Sequence, residues 1–166
     1  AAAKAAASAY CRMFHDLYAA PVVVARLFMV YGPGRQDENK LVPYVIRSLL
    51  RGESPSFGSG TRPVDWIQAT DVAQGFLRLA TAPGLEGRRV DLGSGELHTV
   101  REVVEKLFER LAPGRTPHFG GRADRQAEQV RRADVETTER LLGWRPSLDL
   151  EAGLDATVEW FRGHPS

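Results

Sequence analysis

The residues of this 166-residue chain best suited to chemistry are basic. Arg62 follows the turn Gly58-Ser59-Gly60-Thr61, and Arg122 opens a polar, arginine-rich stretch over 122–132. A guanidinium offers a planar fork of N–H donors that grips phosphate or carboxylate oxygens in pairs. The 122–132 stretch has no apolar face, so it reads as a loop or edge strand turned toward a ligand, with Asp124 two residues beyond Arg122. Lys4 stands in a run where six of the first seven residues are alanine. Taken alone, a lysine on such a helix simply solubilises it. His15, His98, His118 and His164 are scattered, with no cysteine or acidic cluster at ligand spacing, so no metal site is expected. Gly58-Ser59-Gly60 and Gly93-Ser94-Gly95 are short Gly-x-Gly pairs. Neither sits in a convincing strand–helix–strand unit, and both read as ordinary turns.

The elements that must hold these groups alternate in type. The alanine-rich start predicts a helix from Ala1 to Tyr18, with Ala6, Tyr10, Met13, Phe14 and Leu17 on one apolar face. Val22 to Leu27 reads as a buried strand that runs into the turn Tyr31-Gly32-Pro33-Gly34 and a polar loop, Arg35 to Lys40. A strand ending in such a loop delivers side chains to the carboxyl edge of a sheet, where ligands of open α/β folds sit. Leu41-Val42-Pro43 opens a helix, since proline is tolerated in a first turn. That helix turns Val42, Val45, Ile46, Leu49 and Leu50 inward and stops at Gly52.

Ser54 to Gln68 predicts short strand structure, with Val64, Trp66 and Gln68 on one face and Asp65 and Ile67 on the other. Thr70 or Asp71 caps the next helix, which is expected to bury Val72, Phe76, Leu77 and Ala80. Arg88 to Leu92 is a further strand. Thr99 with Glu102 forms a capping box ahead of Val100, Val103, Val104, Leu107, Phe108 and Leu111, the clearest helical repeat in the chain. Asp134 and Asp149 cap two last helices. The first ends at Gly143, and the second buries Leu150, Leu154, Val158 and Phe161. Strands alternating with helices argue an α/β fold.

Composition narrows the function. Apolar residues make up 43% and charged residues 26%, ordinary for a globular chain. With 22 basic and 21 acidic residues the formal net charge is +1, so no field draws in nucleic acid or a membrane surface. No apolar run approaches the roughly 20 residues that span a bilayer. The start lacks the basic flank and long apolar core of a signal peptide. Cys11 is the only cysteine, which rules out an intrachain disulfide and suits a cytoplasmic location.

Arg26-Leu27-Phe28-Met29-Val30-Tyr31-Gly32-Pro33 followed by Leu41-Val42-Pro43 resembles the second half of an extended short-chain dehydrogenase/reductase of the nucleotide-sugar epimerase/dehydratase type. The resemblance continues nearly to the end of the chain. Gly58-Ser59-Gly60-Thr61-Arg62-Pro63-Val64-Asp65-Trp66-Ile67 is similar to the family's Gly-x-Gly…Arg-Asp-Phe-(Ile/Val). Val64 stands at the family's diphosphate-clamping arginine, and Arg62, two residues earlier on the same strand face, stands in for it. Arg122-Ala123-Asp124 resembles Arg-(Pro)-Gly-Asp, which implies that Arg122 reaches the diphosphate and Asp124 the nucleotide ribose. Asp134…Leu141-Leu142-Gly143-Trp144-Arg145-Pro146 and the helix after it resemble the family's closing segment, a structural feature.

The resemblance also assigns Lys4, followed by Ser8 as in the family, to the lysine of Tyr-x-x-x-Lys. That lysine lowers the pKa of the catalytic tyrosine and holds the nicotinamide ribose. The tyrosine's position precedes Ala1. Phe28 falls beside the nicotinamide ring. Met29 occupies the place of a phosphate-binding asparagine and cannot donate a hydrogen bond. Leu41, Val42 and Pro43 line the nucleotide base through backbone groups.

The implied fold is α/β, the carboxy-terminal part of a Rossmann-like domain with its small substrate-binding subdomain. Residues 1–40 are expected to close the cofactor domain and 41–166 to form mainly the substrate-binding part, with 62–95 possible as a return to the cofactor sheet. The implied function is the substrate-binding half of an NAD- or NADP-dependent nucleotide-sugar epimerase or dehydratase. In that family the cofactor takes a hydride from the sugar to give a 4-keto intermediate. With no Gly-rich turn and no catalytic tyrosine, this chain is expected to be inactive alone and to bind the dinucleotide weakly. Its partners are then a nucleotide sugar and either a missing amino-terminal half or a second copy. The alternative is a non-catalytic nucleotide-binding or interaction module that folds alone.

Overall fold

The computed structural model describes residues 2–34, 36–123 and 129–164. Helix α1 (Ala2–Tyr18) is followed by β1 (Val24–Leu27) and β2 (Met29–Tyr31), then α2 (Leu41–Leu50). Next come β3 (Pro63–Gln68), α3 (Ala69–Thr81), β4 (Arg89–Leu92), β5 (Leu97–Thr99) and α4 (Val100–Leu111). Two helices close the described chain, α5 (Val135–Leu142) and α6 (Leu150–Gly163). The alternation is that of an α/β fold.

β1 and β2 follow each other along one backbone, parted only by Phe28, yet they pair with different strands. β1 runs parallel to β4, Arg26 opposite Asp91, while β2 runs parallel to β3, Met29 opposite Trp66. β5 joins the other edge of β3 in antiparallel sense. Two cores result. Tyr31, Trp66 and the inner faces of α2, α4 and α6 form one. Ile67, Val72, Leu79, Val90, Leu92, Leu142 and Trp144 form the other.

The two cores explain where sequence patterning misleads. β3 carries an alternating pattern but is buried on both faces from Val64 to Gln68, because a core lies on each side of it. Two polar residues of β3 are buried, Asp65 and Gln68; the carboxylate of Asp65 draws in four donors. One of its oxygens accepts from the Ser94 N–H (2.7 Å) and hydroxyl (2.9 Å), the other from the N–H groups of Gly95 (3.0 Å) and Ala133 (2.8 Å). Asp71 does not cap α3. It accepts instead from Ser147 and Leu148, tying the start of α3 to the segment before α6. Gln68 takes the capping role, its side chain accepting from the Thr70 N–H.

Helix α3 turns Val72, Gly75 and Leu79 inward, not Phe76, Leu77 and Ala80, which are exposed. Gly75 sets that rotation. A Cβ there would lie 2.8 Å from a Leu92 methyl, so any larger residue would have to push the buried Leu92 side chain aside. The largest departure is α1. Its expected inward face, Tyr10, Met13, Phe14 and Leu17, is exposed, and the helix has no buried residue. The capping box at Thr99–Glu102 and the caps at Asp134 and Asp149 are formed as the sequence predicts.

Asp65→Asn should be strongly destabilising, because the amide offers one acceptor oxygen where four donors converge. Losing charge-assisted bonds and leaving buried N–H groups unpaired should cost about 3 kcal/mol or more. Urea unfolding of Asp65→Asn beside the exposed control Asp16→Asn reads this directly. Equal midpoints would show that the Asp65 contacts are dispensable.

Candidate functional site

A cleft of about 500 Å³ opens where β2 ends, between the start of α2 and the Gly58–Arg62 turn. Met29 and Trp66, neighbours across the β2–β3 ladder, line its strand side. Lys40, Leu41 and Val42 line the helix side, and Lys40 makes no side-chain cap, so the first turn of α2 brings uncapped N–H groups to the cleft wall. The positive end of the helix dipole adds to this. The opposite wall requires glycine at Gly60. Its φ is +73°, and a Cβ there would sit 2.8 Å from the Phe119 ring.

Two guanidiniums reach the cleft from segments 60 residues apart in the sequence, Arg62 and Arg122. Arg122 is exposed but positioned. Its backbone N–H donates to the Phe57 carbonyl (3.0 Å), and its guanidinium donates to the Tyr44 hydroxyl (3.3 Å) while lying 5.2 Å from the centre of that ring. The same hydroxyl accepts from the Ser56 N–H (3.2 Å). Tyr44 is thus the residue that sets the Arg122 side chain, and sequence reasoning missed it. The available signal was its spacing, three residues after Leu41 and so on the same helix face. Gln36 was also missed. It lines the cleft and donates to the Val30 carbonyl (2.9 Å).

The structure brings Met29, Leu41, Val42, Arg62 and Arg122 into this one cleft. Pro43 does not line it and is buried in the first turn of α2. Phe28 lies in an adjoining recess of about 160 Å³ that shares Met29 and Arg62 with the cleft. Lys4 is exposed on α1 and lines neither this cleft nor the adjoining recess. Asp124 lies outside the described residues. A larger space of about 650 Å³ lies between α1 and the β1–β4 pair; Ser8, Cys11 and His15 line it, but none of the expected catalytic or binding residues does.

Tyr31, the tyrosine of the Tyr-Gly-Pro turn, is no proton donor for this cleft. It is almost wholly buried, and burial first, then the carboxylates of Asp149 and Asp71, push its phenol far above the usual tyrosine range. Its hydroxyl points to the Leu150 carbonyl at 3.5 Å, bracing the turn against α6. Among the described residues the cleft has no lining carboxylate, histidine or cysteine. Cations, uncapped N–H groups and an apolar floor are chemistry that suits an anionic ligand with a flat or apolar part.

Residues 1–93 match the family model described as the NAD dependent epimerase/dehydratase family. The chain belongs to that family. It shares 33% identity with a dTDP-glucose 4,6-dehydratase of an Actinoplanes species over 169 aligned positions, covering 100% of this chain and 52% of the relative. Its fold follows the UDP-glucose 4-epimerase of Thermotoga maritima, solved with UDP-glucose, at a TM-score of 0.89 and 28% identity, covering 99% of this chain and 53% of that one. It follows the dTDP-glucose 4,6-dehydratase of Bacillus anthracis, solved with NAD, at a TM-score of 0.87 and 26% identity, covering 99% and 52%. The chain thus spans about half the length of the relatives it matches.

Proposed function

We propose that this chain is the nucleotide-sugar-binding half of an NAD-dependent epimerase or dehydratase. The observation that carries the reading is the convergence of Arg62, Arg122 and the uncapped start of α2 on one cleft. The guanidiniums and helix N–H groups hold the diphosphate. Met29, Leu41, Val42 and Trp66 supply the apolar surface beside it. Met29 cannot donate to a phosphate as an asparagine would, so the arginines carry more of the recognition.

The cofactor is a different matter. Phe28 offers a ring at the strand end, but Lys4 lines neither the cleft nor the recess, and the 166 residues hold no Gly-rich phosphate turn. The residues present do not by themselves make a dinucleotide site, and no reaction step is assigned to them. The rest of the site comes from an amino-terminal part or from a second copy of the chain, acting in the cytoplasm. Either would cover the exposed apolar face of α1. Light scattering of the chain alone should therefore show self-association, and a clean monomer at high concentration would count against an uncovered docking face. Fluorescence titration should show weak NADH binding, because the pyrophosphate cradle is missing. Tight stoichiometric binding would overturn that part of the reading.

The cleft itself is tested by calorimetry with UDP, dTDP and GDP. Arg122→Ala should lose a charge-assisted bond of roughly 1.5–3 kcal/mol, a tenfold to hundredfold loss of affinity, with thermal stability nearly unchanged. Tyr44→Phe should show a smaller loss in the same direction, because the guanidinium loses its anchor. Arg12→Ala, on exposed α1, should bind as the parent does. Undiminished nucleotide binding by Arg122→Ala would remove Arg122 from the clamp.

A further inference from the structure

The cleft wall that runs through Gly60 is held from behind. Arg101, in the first turn of α4, lines neither the cleft nor the recess, yet it grips that wall. Its backbone N–H donates to the Gly60 carbonyl (2.8 Å), and its guanidinium donates to the Ser59 carbonyl (3.0 Å). The neighbouring Val100 N–H donates to the Arg62 carbonyl (3.1 Å), so the free donors at the start of α4 are spent on the Gly58–Arg62 turn. The Arg101 guanidinium also stands 3.9 Å from the centre of the Phe119 ring. That ring fills the space a side chain at Gly60 would need, and it packs on Phe57 with the two centres 5.4 Å apart. Glu105 lies one helical turn on, 3.7 Å from Arg101, but both side chains are exposed and such a pair contributes little.

Phe119 belongs to the segment that delivers the second arginine of the cleft. Ser56 forms a bridge with His118, the Gly120 N–H donates to the Gly58 carbonyl (2.9 Å), and the Arg122 N–H donates to the Phe57 carbonyl. Arg62 and Arg122 thus ride on two adjoining segments, and Arg101 touches both, one through Ser59 and Gly60 and the other through Phe119. We infer that Arg101 is a positioning residue of the cleft, clasping the Gly58–Arg62 turn to the 118–122 segment and so setting the spacing of Arg62 and Arg122. This rests on the cleft being the nucleotide-sugar site, and it adds a determinant of affinity that lies outside the lining. A guanidinium suits the task. Its face is attracted to an aromatic ring while its edge still donates to a carbonyl. Two cations gain fully from one diphosphate only when both are held where it sits, so a turn fixed before binding raises affinity.

Calorimetry with UDP, dTDP and GDP on the parent, Arg101→Leu, Arg122→Ala and the double variant tests this. Arg101→Leu should keep its cooperative melting and weaken nucleotide binding about fivefold. In the Arg122→Ala background the same change should cost clearly less, because the spacing it sets no longer matters; a structural effect elsewhere would simply add. Glu105→Gln, which removes only the exposed ion pair, should bind as the parent does. Parent-like affinity of Arg101→Leu, full additivity with Arg122→Ala, or an equal loss in Glu105→Gln overturns the assignment. Should no nucleotide bind the parent, the cleft reading fails, and Arg101 is then judged by arginine side-chain NMR of the unliganded chain. Displaced Arg62 and Arg122 signals in Arg101→Leu, with both unmoved in Glu105→Gln, support the clasp. Unmoved signals in Arg101→Leu overturn it.

Discussion

A single buried carboxylate, that of Asp65, holds the cleft side of the molecule to the rest. It lies in the middle of β3 and gathers donors from the turn after β4 and from Ala133, ahead of α5. These segments are 29 to 68 residues away in the sequence. A carboxyl group buried this deeply needs hydrogen bonds to replace its lost hydration. In return it fixes the height of the β4–β5 turn against β3, and so the place where Arg131 and Gln129 enter the recess. Asp71 repeats the device one element later, joining α3 to the approach of α6. Two acids thus do in the loops what ladder hydrogen bonds do within the sheets.

The cleft inherits its shape from that framework. β2 and β3 set Met29 beside Trp66, the turn through Gly60 forms a wall only because a side chain is absent there, and α2 starts without a cap. Charge then follows from connectivity. Arg62 precedes β3, Arg122 arrives from the far side on a backbone hydrogen bond to Phe57, and Tyr44 orients it. Among the described residues no carboxylate, histidine or cysteine lines the cleft.

What the sequence reveals depends on how local the physics is. The capping box at Thr99 and Glu102, the caps at Asp134 and Asp149 and the stop at Gly143 each involve partners within four residues, and all are readable from spacing. The inward stripes of α4 and α6 are equally plain, because each packs on one core from one side. The face of α3 is not, since it is decided by how closely Gly75 can approach Leu92, a contact across 17 residues of chain. Asp71 looks like a helix cap because the residues that claim it lie 76 and 77 positions away. The α1 stripe reads as core because periodicity reports that a face is apolar and says nothing of what covers it. Arg62 and Arg122 were legible as a pair through resemblance, whereas Tyr44 has its effect through Arg122, and no motif advertises that.

The run from Val24 to Tyr31 is one backbone serving two sheets, with Phe28 as the changeover. It works as a ruler between them. Side chains in a strand alternate faces, so one residue added or removed between Arg26 and Met29 would turn every later side chain to the opposite side. Met29 would leave the cleft, and Tyr31 would lose its seat under α6. The composition of this segment can drift while its length cannot, and the spacing from Arg26 to Tyr31 is a measured distance between the recess and the buttress of the cleft.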